Sequence, residues 1–231
     1  HDVYHKQEFL NKNPILKSLI LDSPNFLEEC KGVVPKNKIW AHISGTDLIK
    51  DHRGKFFVLE DNLRVPSGVA YMLENRNVMK KVVTELFNNY KVSPVDDYTS
   101  QLYKCLSDAS YSKDKKKTIV ILSPGIFNSA YFEHAYLAQQ MGIDLVESSD
   151  LSLSDDNYVY MKTISGKKKI DVIYRRINDD YLDPNVWIKD STLGLPGLIN
   201  SWKEKKVAIV NAPGSGVADD KAVYAFVPKM I

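Results

Sequence analysis

Glu60, Asn62 and Arg64 occupy alternate positions of one largely apolar segment, residues 57–68, FVLEDNLRVPSG. If the segment is a strand, the three side chains share a face, because strand side chains alternate with period two. A carboxylate and an amide oxygen are hard donors suited to Mg²⁺, and the planar donor fork of Arg64 matches phosphate oxygens. Buried without partners, the three would cost more than the strand gains. The face therefore meets either a magnesium-bound polyphosphate or water, and a solvated strand carries the same residue types. Pro66-Ser67-Gly68 stops the strand and places Ser67 to cap a following helix, whose free N–H groups favour anions.

Several elements must position this row. The apolar stretches 39–43 and 55–59 are predicted as two strands joined by a turn at 51–54, DHRG. Such a pair brings Asp47 to the same end of the sheet as Glu60 and Asn62; a turn residue is the other reading of Asp47. Val69, Met72, Leu73, Met79, Val82, Val83, Leu86 and Phe87 recur at three and four, predicting an amphipathic helix over 69–90. Ahead of the pair, 1–21 predicts one or two short helices interrupted by Pro14, and 22–38 a loop. The charge run 113–117, KDKKK, marks a boundary.

From residue 118 strands alternate with helices, the pattern of a small parallel α/β unit. The run TIVIL at 118–122 suits a strand buried on both faces. Ser123-Pro-Gly follows it, and Asn128 or Ser129 caps a helix to Met141. The backbone N–H groups of that loop suit a phosphate or carboxylate, which makes Ser123, Asn128 and Ser129 candidate substrate contacts. Arg175 and Arg176 end the strand 170–174 on opposite faces, so one is expected to meet a substrate carboxylate unless both pair with Asp179, Asp180 or Asp183. The glycines of 211–221, NAPGSGVADDK, fail the phosphate-loop pattern, because Val217 stands where Lys would follow.

Composition excludes several classes. The 231 residues are 44% hydrophobic and 26% charged, with a net charge of +2, so neither nucleic acid nor an acidic membrane is indicated. Cys30 and Cys105 form no zinc or disulfide framework. No membrane-spanning run or leader is visible, so a cytoplasmic location is expected. The chain opens at His1 without an initiator Met, and a part of a longer protein is expected.

Five blocks, taken in order, resemble the circularly permuted ATP-grasp family related to glutathionylspermidine synthetase: 39–47 (IWAHISGTD), 59–76 (LEDNLRVPSGVAYMLENR), 123–134 (SPGIFNSAYFEH), 171–176 (DVIYRR) and 216–224 (GVADDKAVY). The resemblance implies a mixed α/β (α+β) fold in three parts. Residues 1–112 would carry antiparallel strands with the metal site, 113–216 a Rossmann-like unit of the pre-ATP-grasp kind, and 217–231 the start of the nucleotide-binding half. It implies ATP and Mg²⁺ as cofactors, Asp47, Glu60 and Asn62 as metal ligands, Arg64 as the catalytic cation, and Lys221 with Arg64, Ser67 and Gly68 at the nucleotide. The implied activity is carboxylate–amine ligation through an acyl phosphate, with small-molecule or peptide acids and amines as substrates. The family's glycine-rich loop and adenine pocket would follow Lys221, so weak ATP binding by these residues alone is expected. A non-catalytic module binding a peptide or small acid on the same scaffold is the alternative, and a phosphate or nucleotide-sugar binder built on the unit after Thr118 is a third.

Overall fold

Pro14 opens a helix rather than breaking one. The computed structural model, which describes residues 1–230, has two short N-terminal helices, α1 (Glu8–Asn11) and α2 (Pro14–Leu21). Proline takes the first helical position of α2, where its missing N–H costs no hydrogen bond. Leu10, Leu16 and Ile20 turn inward. Residues 22–44 follow as loop and single turns.

The strand expected at 39–43 is not one. The antiparallel ribbon is β1 (Gly45–Lys50) with β2 (Phe56–Asn62), joined by the turn at 51–54, where Asp51 Oδ1 accepts from Arg53 N and Lys55 N. Residues 39–43 instead lie against 211–212, with Ala212 N donating to Trp40 O at 2.8 Å. Trp40 is buried against Tyr4 and Trp202. The expected long helix divides at Val83 into α3 (Val69–Val82) and α4 (Thr84–Asn89), followed by α5 (Tyr98–Ala109). Only Ala70 and Leu73 of α3 are buried, so most of its apolar stripe, Val78, Met79 and Val82 included, faces outward.

The parallel unit is as the apolar runs predict. β3 (Ile119–Leu122), α6 (Tyr131–Met141) and β4 (Asp144–Val146) form its first crossover. A small antiparallel sheet of β5 (Leu151–Leu153), β6 (Val159–Thr163) and β7 (Gly166–Lys169) is inserted next. Then come β8 (Val172–Arg175), α7 (Leu198–Lys203), β9 (Ala208–Val210), α8 (Lys221–Tyr224) and α9 (Val227–Met230). The strand order is β4-β3-β8-β9. Successive strands are therefore added to one side of β3 and then to the other, and a crevice is expected outside the carboxyl ends of β3 and β8.

One hydrophobic core runs through Tyr4, Leu16, Trp40, Val120, Ile173, Trp202 and Val223, joining the N-terminal helices, the sheet and α8. The ribbon takes no part in it. Leu48, Ile49, Phe56, Phe57, Val58 and Leu59 are each 42–61% exposed, so its position is not set by burial of either face. Among the described residues no helix is long and apolar enough to cross a membrane. Both cysteines are free thiols.

Candidate functional site

Asp47 and Glu60 are direct cross-strand partners, so both project from one face of the ribbon. Asn62 belongs to that face as well, since its Nδ2 donates to Asp47 Oδ2 at 3.2 Å and to Gly45 O at 3.3 Å. With Nδ2 donating to these oxygens, Oδ1 is the acceptor atom of the exposed Asn62 side chain. The ladder slips beside Asp47, where Leu48 pairs with Val58, and such a bulge re-aims neighbouring side chains. Asp47 and Asn62 are exposed, while Glu60 is half-buried and 3.4 Å from Lys221 Nζ. A cleft of about 370 Å³ is lined by Gly45, Thr46, Asp47, Asn62, Val65, Pro66 and Ser67. Among the described residues no three His, Cys, Asp or Glu side chains surround one point. The donor set here is two carboxylates and an amide, all oxygen, which fits Mg²⁺ rather than a softer ion.

Arg64 lies beyond the end of β2 and departs from the row. Its guanidinium turns to Asn25 Oδ1 at 3.3 Å and Asp219 Oδ2 at 3.8 Å, because its own N–H and that of Leu63 donate to Asp219. The glycines of 211–221 allow close packing. A Cβ on Gly216 would meet Arg64 Cδ at 2.8 Å, and one on Gly214, whose φ is +85°, would meet the Tyr4 hydroxyl at 2.7 Å.

The crevice at the carboxyl ends of β3 and β8 is filled by the protein itself. Arg176 Nη1 donates to Pro66 O at 2.7 Å, and Arg176 Nη2 pairs with Glu133 Oε1 at 2.9 Å. Glu133 Oε2 in turn accepts from Gly68 N at 2.7 Å and Ala70 N at 3.0 Å. The start of α3 is thus capped by a buried carboxylate from α6 and not by Ser67, which is exposed and makes no capping bond. Two of the N–H groups expected to attract an anion there already hold one. Arg175 is also internal, bonded to Asn211 O at 2.8 Å, Ile177 O at 3.0 Å and Asp179 Oδ1 at 3.0 Å. Neither arginine reaches solvent, because seating the 65–68 turn and the 211–212 loop consumes them. Among the other expected contacts, Asn128 Oδ1 accepts from Ala130 N at 2.9 Å just before α6, and Ser129 O accepts from the Tyr71 hydroxyl.

Ser123 is buried, its hydroxyl 2.9 Å from His134 Nδ1, a pairing the sequence reading passed over because the residues are 11 apart. The pair is too enclosed to act as a nucleophile. Burial first, and the Arg176 guanidinium second, hold the His134 imidazole down at about 4 from an ordinary 6.5. Between those values the unfolded chain binds the extra proton, so this contribution is complete above pH 6.5 and is lost as pH falls toward 4. Its full extent is roughly 2–3 kcal/mol. His134→Gln is expected to flatten the fall of the thermal midpoint over this range; an unchanged slope would exclude His134 as its source.

A small parallel α/β unit beside an exposed antiparallel ribbon bearing oxygen donors makes this a mixed α/β protein. The chain belongs to the circularly permuted ATP-grasp type 2 family, whose model matches residues 1–231. It is 48% identical over 230 residues to uncharacterised proteins of Synechocystis sp. and Mycobacterium tuberculosis, covering all of this chain and 48% and 42% of theirs. It is also 35% identical over 232 residues to a Frankia casuarinae protein named "Putative glutamate--cysteine ligase 2-2", covering all of this chain and 27% of that one. The chain thus spans about half the length, or less, of the curated relatives it matches.

Proposed function

We propose that the full-length protein containing this chain is an ATP-dependent carboxylate–amine ligase that acts through an acyl phosphate. The observation that carries this reading is the shared, outward face of Asp47, Glu60 and Asn62 beside the Lys221 ammonium. Family membership and the ligase name of the Frankia relative support it. In this reading residues 1–112 supply the metal-bearing ribbon, 113–216 the unit that seats it, and 217–231 the first cation of the nucleotide half.

Asp47, Glu60 and Asn62 Oδ1 would hold Mg²⁺, which would supply positive charge to offset that of the nucleotide phosphates. Lys221 is placed to exchange its contact with Glu60 for a phosphate oxygen, as a point charge on a flexible stem. Arg64, with its guanidinium on Asn25 and Asp219, would have to turn from these partners to reach phosphate. Such chemistry needs charge stabilisation and alignment rather than a protein nucleophile, which agrees with the burial of Ser123.

The test is to incubate the full-length protein with Mg²⁺, ATP and hydroxylamine against a panel of carboxylic acids that includes glutamate. A trapped hydroxamate with one ADP formed per product is expected. Formation of AMP and pyrophosphate would overturn the acyl-phosphate route. Acid binding with no nucleotide turnover would instead identify a non-catalytic module.

A further inference from the structure

We infer that Asn211 is a positioning residue for the proposed cation site, fastening both feet of the ribbon at once and so setting the spacing of Asp47 and Asn62. The inference rests on the cation reading above and names what makes that site rigid.

Asn211 is 2% exposed and follows β9 directly. Its Oδ1 accepts from His42 N at 2.8 Å and Ile43 N at 3.0 Å. Its Nδ2 donates to Ile43 O at 2.7 Å and Leu63 O at 2.6 Å. Both donors and both acceptor positions of the amide are thus used, and among side chains of this length only an amide offers two donors and a double acceptor together. His42 and Ile43 lead into β1, and Leu63 is the residue after Asn62, so a single side chain grips the chain just before the ribbon and just after it.

This grip matters because, among the described residues, no other side chain outside the ribbon hydrogen-bonds to the chain on both sides of it. Its faces are exposed, and a two-stranded ribbon alone is marginal in water. Ser215 and Asp219 reach only the second foot, Ser215 Oγ donating to Leu63 O at 3.1 Å and Asp219 Oδ1 accepting from Leu63 N at 2.6 Å. Aspartate at 211 would turn an oxygen toward two carbonyls, and alanine would take this partner from Ile43 O and from the His42 and Ile43 N–H groups, leaving Leu63 O with Ser215 Oγ alone.

The experiment is a Mn²⁺ titration of the full-length protein, with free Mn²⁺ read by electron paramagnetic resonance. It is run well below the unfolding temperature, on samples whose circular dichroism matches wild type. Asn211→Asp and Asn211→Ala are expected to raise the Kd for Mn²⁺ about tenfold or more at unchanged stoichiometry. Ser215→Ala, which removes one bond at one foot, is expected to change it by less than about twofold. A loss of fold stability alone would lower the thermal midpoint without moving this Kd. Folded Asn211 variants that hold Mn²⁺ within twofold of wild type, while Glu60→Gln releases it, would overturn the positioning role and leave the ligase reading standing. If Glu60→Gln binds Mn²⁺ as wild type does, the cation site itself falls. Should Asn211→Asp and Asn211→Ala fail to fold, Asn211→Ser, which keeps one donor and one acceptor on a shorter side chain, is read in their place. A Kd for Mn²⁺ within twofold of wild type in that variant would equally overturn the inference.

Discussion

Glu60→Gln in the full-length protein is expected to lower ADP release by about 100-fold or more, the scale seen when one preorganised charge-stabilising group is removed. Glutamine keeps the length and one oxygen of the side chain but removes its charge. The effect should therefore lie in cation affinity and transition-state charge, not in the shape of the ribbon. Glu60 contacts Lys221 at 3.4 Å, and the lysine side chain is 81% exposed. Such a surface pair contributes about 0–1 kcal/mol to stability, so the thermal midpoint should hardly move. Raising Mg²⁺ should recover part of the activity, because an amide oxygen is a weaker ligand but still a ligand. Turnover equal to wild type at the same Mg²⁺ would remove Glu60 from the chemistry.

Glu133→Gln has the opposite profile, a large loss of stability. The Glu133–Arg176 pair is 2.9 Å long with both side chains 1% exposed, and Glu133 also accepts the two N–H groups at the start of α3. Glutamine can still accept from Gly68 N or Ala70 N, but it leaves the Arg176 guanidinium buried without a counter-charge. Breaking a buried pair from one side costs about 3–5 kcal/mol. At this chain length that is a fall in thermal midpoint of about 6–20 °C. Arg176→Met should cost a similar amount, and the double variant less than the sum of the two, since the uncompensated charge is then gone. A Glu133→Gln protein within 1 kcal/mol of wild type, on the same scale, would show that solvent reaches the pair. The 65–68 turn bordering the candidate cleft rests on this pair, so the loss should also widen local amide exchange there.

What could be read from the sequence follows from which residues carry a local signal. The runs at 119–122, 172–174 and 208–210 are continuous apolar stretches because both faces of those strands are covered, and the parallel unit was legible from them. The ribbon turn at 51–54 was legible from Asp51 and Gly54, but β1 was placed too early. Residues 39–43 are apolar because they pack on 211–212, whereas β1 buries neither face in this chain and so shows no alternation. The short strand β7 was missed for the same reason, Gly166–Lys169 being almost wholly polar, and β5 because three residues, Leu151–Leu153, are too few to show a period. The return of Asp47 to the end of the sheet that carries Glu60 was anticipated from the turn, and Asp179 as the alternative partner of Arg175, but not the use of Arg176. An arginine at the end of a buried strand reads alike whether it meets a ligand or the protein's own turn. Only the location of Pro66 and Glu133, 110 and 43 residues away, decides it. Asn211 carried no signal either, because its partners are backbone atoms, which every sequence supplies.

The grip of Asn211 on Leu63 spans 148 positions of sequence. At synthesis rates of roughly 5–20 residues per second, the ribbon leaves the ribosome about 7–30 s before the amide that seats it. During that interval an apolar hairpin with open edges has no anchor, which is the condition under which strands pair with the wrong neighbour. Completion of the oxygen-bearing face is therefore a late event in the life of the nascent polypeptide, and the distance from 63 to 211 makes its folding slow by topology alone.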